Sequence, residues 1–259
     1  MIWMGCGFPA LWRLLVGHRF RLPLRALPEC ACDVGCALFN SALGCLQDLL
    51  LTRSLNRIAL ADDPLFVVGH WRTGTTLLHE LLALDAQHRC PTNYECFVPH
   101  HFLISQRWLK PWIRFVLPKN RIADDMPVEW DLPQEDEFGL LALGAPSPYL
   151  SLAFPNEPPQ FDASYTLAGL RPSERTRWEQ ALLRFLRSLI RNRPGRLVLK
   201  SPPTPFVCRF SKRCFREPAI CTSSETPTPC LRRPSSCGSR CLLRKATSGR
   251  PLRDWKNAR

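Results

Sequence analysis

The chain has 259 residues, 45% of them apolar and 22% charged, enough for one large domain or two small ones with a sizeable core. No uninterrupted run approaches the ~18–20 apolar residues of a bilayer-spanning helix, so no membrane span is expected. The formal charge of +13 suggests an anionic partner, but thirteen of the 35 Lys and Arg and only three of the 22 acids lie in residues 204–259. The first 203 residues are close to electrical balance. The cysteines divide as unevenly: six of 13 fall in the same tail without CxxC spacing, and all six histidines precede residue 102, which argues against a zinc site. The odd count, without a signal peptide, argues against a disulfide framework.

In chain order, the opening stretch MIWMGCGFPALWRLLVGHRF has a short apolar segment but no basic n-region and no clear cleavage site; a cytoplasmic protein is expected. Residues 34–60 carry helical spacing through Leu46, Leu49, Leu50, Leu55 and Ile58, and Asp62-Asp63-Pro64 ends it. Leu65-Phe66-Val67-Val68 is wholly apolar, as a parallel strand buried on both faces would be. A helix from about Thr75 to Leu84 follows. Residues 91–165, rich in proline and aromatics, read as loops and short helices. Ser173 is placed to cap a further helix with Glu174 in its first turn. That helix buries Trp178, Leu182, Phe185, Leu186, Leu189 and Ile190, and Asn192-Arg193-Pro194-Gly195 stops it. Arg196–Lys200 is a second strand, ended by Ser201-Pro202-Pro203. The alternation predicts an α/β fold, with ligands at the carboxyl ends of the strands. After Pro203 no apolar period runs over a useful length, and no strand is expected there.

The most informative segment is Gly69-His70-Trp71-Arg72-Thr73-Gly74-Thr75-Thr76, a glycine turn between the first strand and its helix. In a Walker A loop Thr75 would be lysine and Thr76 would hold Mg²⁺. The glycines, inward amides and helix N-terminus that cradle an anion are retained, and the cation has moved to Arg72. This suits a phosphate held by charge and amides without a triphosphate–metal arrangement; the bland alternative is a plain βα turn. A P-loop kinase or NTPase is disfavoured by Thr75 and by the absence of a Walker B strand ending in Asp. A basic nucleic-acid-binding protein acting through its tail is the non-enzymatic alternative.

GHWRTGTTLLHELLALD resembles the 5′-phosphosulfate loop of the sulfotransferases that use 3′-phosphoadenosine 5′-phosphosulfate (PAPS). YECF (94–97), LPQEDEF (132–138), SPYL (147–150) and LVLKSPP (197–203) are similar to the branch common in bacteria. The resemblance spans roughly residues 60–203. It implies a P-loop-like parallel sheet flanked by helices, incomplete at the C-terminus, with three parts: an N-terminal helical segment (1–60), an α/β core (61–203) and a basic Cys/Arg/Pro/Ser-rich tail (204–259). It implies sulfuryl transfer to a hydroxyl or amine, with PAPS as co-substrate and no metal. The acceptor (a small molecule, lipid or saccharide) stays open, with no specific nucleic-acid partner. The donor would be held by Gly69, Arg72, Thr73, Gly74, Thr75, Thr76 and Ser201. Arg72 and Lys200 are the candidate cations for the leaving oxygen. Glu95 resembles the glutamate that serves as base in protein-tyrosine and related sulfotransferases. Glu135-Asp136-Glu137 either lines the acceptor pocket or forms a solvated face. His100-His101 reads as a loop pair.

The same family carries an Arg-Asp-Pro-type turn and a following serine, after another strand, for the 3′-phosphate of PAPS, and a histidine after KSPP. Here Thr204 follows KSPP. Arg216-Glu217-Pro218 and Arg233-Pro234-Ser235 are weak look-alikes. Codons formed from the last base of one residue and the first two of the next permit a different reading. From Cys214 this frame allows Phe-Pro-Gly-Ala-Arg-Tyr-Leu-His-Ile-Val-Arg-Asp-Pro, a strand and turn in family order. The expectation is a frameshift near residue 203, a disordered tail and an impaired 3′-phosphate site.

Overall fold

The computed structural model describes residues 2–17, 27–61, 63–69, 73–118, 120, 127–147, 149–150, 170–200 and 219–223. A short 3-10 turn (Ile2–Gly5) precedes α1 (Phe8–Gly17) and α2 (Leu27–Asn56). Then come β1 (Leu65–Gly69), α3 (Thr75–Ala83), β2 (His88–Arg89) and the short helices α4 (Asn93–Phe97), α5 (Phe102–Ser105), α6 (Leu109–Trp112) and α7 (Asp136–Ala142). The long helix α8 (Pro172–Asn192), β3 (Arg196–Lys200) and β4 (Ala219–Ser223) complete the described order.

The strands form one sheet in the order β2-β3-β1-β4, every pairing parallel. Side chains alternate across a strand, so the sheet splits the core in two. Phe66, Leu197 and Leu199 pack with Trp178, Leu182, Phe185, Leu186 and Leu189 of α8. Leu65, Val67 and Val198 pack with Leu82 of α3 and Cys90 on the other face. Burial on both faces is why β1 reads as an unbroken apolar run. Gly139 of α7 abuts this core: a Cβ there would lie 2.9 Å from the Phe185 ring.

Four boundaries differ from the sequence reading. The helix expected over 34–60 runs from 27 to 56. β2 is two residues long, too short to leave a period. Pro172 occupies the first turn of α8 and Arg171 precedes it. The fixed proline φ starts the helix one residue before the expected Ser173 cap, while the Arg171 amide donates to the Glu174 carboxylate at 3.0 Å. β4 arises where no strand was expected, paired with β1 from Leu65↔Ala219 to Gly69↔Ser223. Five uncharged residues that include Ile220 and Thr222 suit a strand, but pairing with β1, rather than any internal period, is what fixes it.

By window average rather than by uninterrupted run, one helix has the length and apolarity of a span. α2 has 30 residues, and an 18-residue window of mean hydropathy 1.5 is long and apolar enough to cross a membrane by length and composition. Asn40, Ser41, Gln47 and Asp48 interrupt the run, so it shows in the window mean rather than as an unbroken apolar stretch. The inward face of the helix carries two polar residues, Asn40 and Gln47, among Ala37, Gly44 and Leu55. Asn40 Nδ2 donates to the carbonyls of Met4 (2.8 Å) and Cys6 (3.0 Å). The Leu103 amide donates to Gln47 Oε1 at 3.0 Å.

Truncating Leu186, fully buried between α8 and the sheet, to alanine should destabilise the protein by about 2–5 kcal/mol. Leu49→Ala, at a site 84% exposed, should change stability by less than about 0.5 kcal/mol. Denaturant unfolding of the two variants measures the contrast.

Candidate active site at the carboxyl ends of the strands

β1 and β3 run parallel with Val67 opposite Lys200, so both strands deliver their carboxyl ends to one edge. β1 ends at Gly69, and α3 begins after Gly74, whose φ of 78° is left-handed and favours glycine. Among the described residues the N-cap Gly74 offers α3 no capping side chain, and the first turn of α3 has no acid. Its first amides and the positive end of its dipole are therefore not neutralised by a carboxylate. Thr75 is buried and Thr73 half-buried.

Lys200 stands over this helix start. Its Nζ donates to Thr76 Oγ1 at 2.9 Å and lies 2.9 Å from Glu135 Oε1, although the residue is only 3% exposed. Glu135 precedes α7, and its other oxygen accepts a hydrogen bond from the Tyr149 hydroxyl. Burial and the adjacent Glu135 push the Tyr149 phenol up, keeping it a donor. Asp136 and Glu137 complete the first turn of α7, where the helix dipole favours acids. All three acids are buried, which removes the solvated-face reading of this run. Glu137 is pushed up to about 8, first by burial and then by Asp136 and Glu135, against a hydrogen bond with Ser147. His79, beneath Lys200 on α3, is driven down to about 3 by burial and by the Lys200 charge; it is neutral.

Glu95 lies elsewhere. It is 1% exposed, and both oxygens are occupied. Oε1 accepts from Arg89 and from Asn192 Nδ2 (2.7 Å); Oε2 accepts from the Thr92 amide (2.9 Å) and hydroxyl (3.0 Å). The Thr92–Glu95 pair is a capping box at the start of α4, and the Arg89 pair ties β2 to it. No lone pair faces a substrate. The histidine pair expected in a loop is built into the fold as well. His101 Nε2 donates to Asn40 Oδ1 at 3.0 Å and Nδ1 accepts from Ser105 at 2.8 Å, while His100 donates to the Ala142 carbonyl at 3.1 Å. Arg72 (with His70 and Trp71), Ser201 and the tail apart from 219–223 lie outside the described residues. Gly69, Thr73, Gly74, Thr75, Thr76 and Lys200 are brought to one edge of the sheet. Sequence reasoning missed Glu135 as the partner of Lys200 and Tyr149 as the partner of Glu135; the only signal was their place in the LPQEDEF and SPYL segments.

Among the described residues, no group of three or more His, Cys, Asp or Glu could hold a metal ion. Glu137 gives a measurable pH signature. Its folded-state value, about 8 against an ordinary 4.5, means the folded state keeps a proton that the unfolded chain releases. Its contribution to stability is therefore present below pH ~4.5 and lost as pH rises through ~8. Glu137→Gln should remove that slope, so the thermal midpoint of the variant should gain on the parent between pH ~5 and ~9.

Residues 64–138 match the Sulfotransferase family. Over 205 residues the chain is 42% identical to the omega-hydroxy-beta-dihydromenaquinone-9 sulfotransferase Stf3 of Mycobacterium bovis, covering 79% of this chain and 53% of that protein. The Stf3 of Mycobacterium tuberculosis matches to the same extent. The chain thus spans about half the length of the curated relatives it matches. The crystal structure of sulfotransferase STF9 from Mycobacterium avium shares the fold at a TM-score of 0.52 and 19% identity, over 73% of this chain and 49% of that one. A lysine-free glycine turn before α3, a buried lysine over its first turn and a 42% identical relative agree: residues 64–138, which supply the turn, α3 and Glu135, are those of the sulfotransferase family.

Proposed function

We propose that this protein transfers a sulfuryl group from PAPS to a hydroxyl on a lipid-like acceptor. The observation that carries the proposal is the bridging Lys200, 2.9 Å from both Thr76 and Glu135. It sets a cation, an anion-receiving helix start and a carboxylate around one point. The 5′-phosphosulfate meets the amides of Gly74, Thr75 and Thr76 and the positive end of α3, with Thr73, Gly69, Arg72 and Ser201 proposed as further donor-binding residues. As sulfur moves, the acceptor oxygen forms an S–O bond and the S–O bond to the 5′-phosphate breaks. Charge grows on the phosphate oxygen, where Lys200, with Arg72 as a second proposed cation, stabilises it. Glu135 takes the acceptor's proton, and adenosine 3′,5′-bisphosphate leaves. Glu135 rather than Glu95 is the proposed base, because it lies beside Lys200 and the start of α3, whereas Glu95 is built into the α4 capping box with Arg89, Thr92 and Asn192. The lipid-like acceptor rests on the curated relatives, whose names specify a hydroxylated dihydromenaquinone.

We also propose that residues after about 203 are read in a shifted frame, so that the 259-residue chain binds PAPS poorly. The motivation is the alternative reading itself, which runs Tyr-Leu-His-Ile-Val into Arg-Asp-Pro from position 219; in the written frame the strand there is Ala-Ile-Cys-Thr-Ser. The match to the relatives also extends over 205 residues, about as many as precede the tail.

The gene's nucleotide sequence tests the frame: absence of Arg-(Asp or Asn)-Pro in the shifted reading, or tight PAPS binding by the 259-residue chain in calorimetry, overturns it. For the frame-corrected enzyme, Lys200→Met should lower kcat by about 10²–10³, and Glu135→Gln, in which an amide replaces the carboxylate beside Lys200, by about 10²–10⁴. Glu95→Ala should instead cost about 3–5 kcal/mol of stability by leaving Arg89 buried without its partner. A fully active Glu135→Gln enzyme, assayed by sulfate transfer from labelled PAPS to a hydroxylated lipid, removes Glu135 as base.

A further inference from the structure

α2 buries two polar residues, Asn40 and Gln47, beside Ala37, Gly44 and Leu55, and leaves most of its leucines outside. A surface helix ordinarily buries its apolar stripe and exposes its polar one. Here Asn40, Gln47 and Asp48 are engaged by the protein: the first two bond Met4, Cys6, His101 and Leu103, and Asp48 accepts from Arg184 at 2.8 Å. Between residues 35 and 50 the exposed positions are Gly35, Leu38, Phe39, Ala42, Cys45, Leu46, Leu49 and Leu50, without a charge among them.

The apolar surface continues past the helix. The Phe39 ring meets the Trp108 indole edge-on, centroids 6.4 Å apart. In the same segment of chain Trp112 and Phe115 are 75% and 81% exposed, interleaved in sequence with the exposed Arg107 and Arg114.

We propose that this face docks on an anionic lipid bilayer, with α2 lying in the plane of the interface. An aliphatic band continued by tryptophan and phenylalanine matches the boundary between acyl chains and headgroups, and the neighbouring arginines complement anionic headgroups. Spanning is disfavoured, because it would strip Asn40, Gln47 and Asp48 of their partners and place them in hydrocarbon. A symmetric second copy fits less well: the exposed positions of α2 from 35 to 50 offer no carboxylate to Arg107 or Arg114. The proposal does not rest on sulfuryl transfer, and its assay contains neither donor nor acceptor.

The test is co-sedimentation of the full 259-residue chain with vesicles of phosphatidylcholine alone or with about 30% phosphatidylglycerol. The parent should bind the anionic vesicles and keep part of that binding at about 0.5 M salt, where the purely electrostatic contribution is screened. The triple variant Leu46→Gln, Leu49→Gln, Leu50→Gln should bind at least about tenfold more weakly, with the basic tail common to both proteins. Arg107→Ser with Arg114→Ser should weaken binding to anionic vesicles and leave the neutral ones unchanged. Leu49→Glu alone serves if the triple variant fails to fold. Parent-like binding by the folded aliphatic variant overturns the proposal, since the tail would then suffice. So does a parent that stays in solution, or an aliphatic variant that only turns a dimer into a monomer.

Discussion

The ammonium of Lys200 organises the functional edge of this molecule. A buried charge is tolerable only with its partners in place, and here, at the end of β3, they come from two separate regions: the first turn of α3 and the residue before α7. Thr76 and Lys200 are 124 residues apart. The parallel register that sets Val67 beside Lys200 brings them within hydrogen-bonding distance. Glu135 balances the charge, and Tyr149 occupies the carboxylate's other oxygen. A shift of β3 by one residue would send Lys200 to the opposite face of the sheet. The arrangement is self-contained, and an anion arriving at α3 would offer Lys200 a second partner without a change in the sheet.

Two kinds of adhesion hold the surrounding structure. The sheet and α8 are joined by apolar contacts through Phe185, Leu186, Leu189 and Leu199. α2 is joined largely by polar ones. A chain of hydrogen bonds runs from Tyr94 through Ser105 and His101 to Asn40 and on to the carbonyls of Met4 and Cys6. Each such bond contributes only about 0.5–1.5 kcal/mol, but their directionality fixes which side of α2 faces inward. The aliphatic side is left outside as a consequence. Arg89 and Glu95 do similar work in the interior, joining β2 to the capping box of α4. That buried pair holds Glu95 within the fold beside β2 and α4.

Much of the architecture was legible without coordinates, because the apolar residues of β1, α3, α8 and β3 keep the period of their elements. The glycine turn and its threonines were legible for a related reason, since a short βα loop is a local structure. β2 and β4 were not, as two and five residues carry too little pattern. Their existence depends on neighbours far along the chain. Glu95 and Glu135 could not be told apart by sequence, for both are acids in loops near helix starts. Which one finds Arg89 and which finds Lys200 is decided by packing.

By itself, then, the sequence determined the α/β alternation, the shape of a loop that receives an anion without a P-loop lysine, and the concentration of positive charge after residue 203. These follow from local spacing and composition. Tertiary structure alone decided that Lys200 meets Thr76 and Glu135, that the acids 135–137 are buried rather than solvated, and that α2 faces outward with its leucines. Each of those depends on long-range partners, through parallel strand register or side-chain hydrogen bonding, and no window of neighbouring residues contains both halves of the contact.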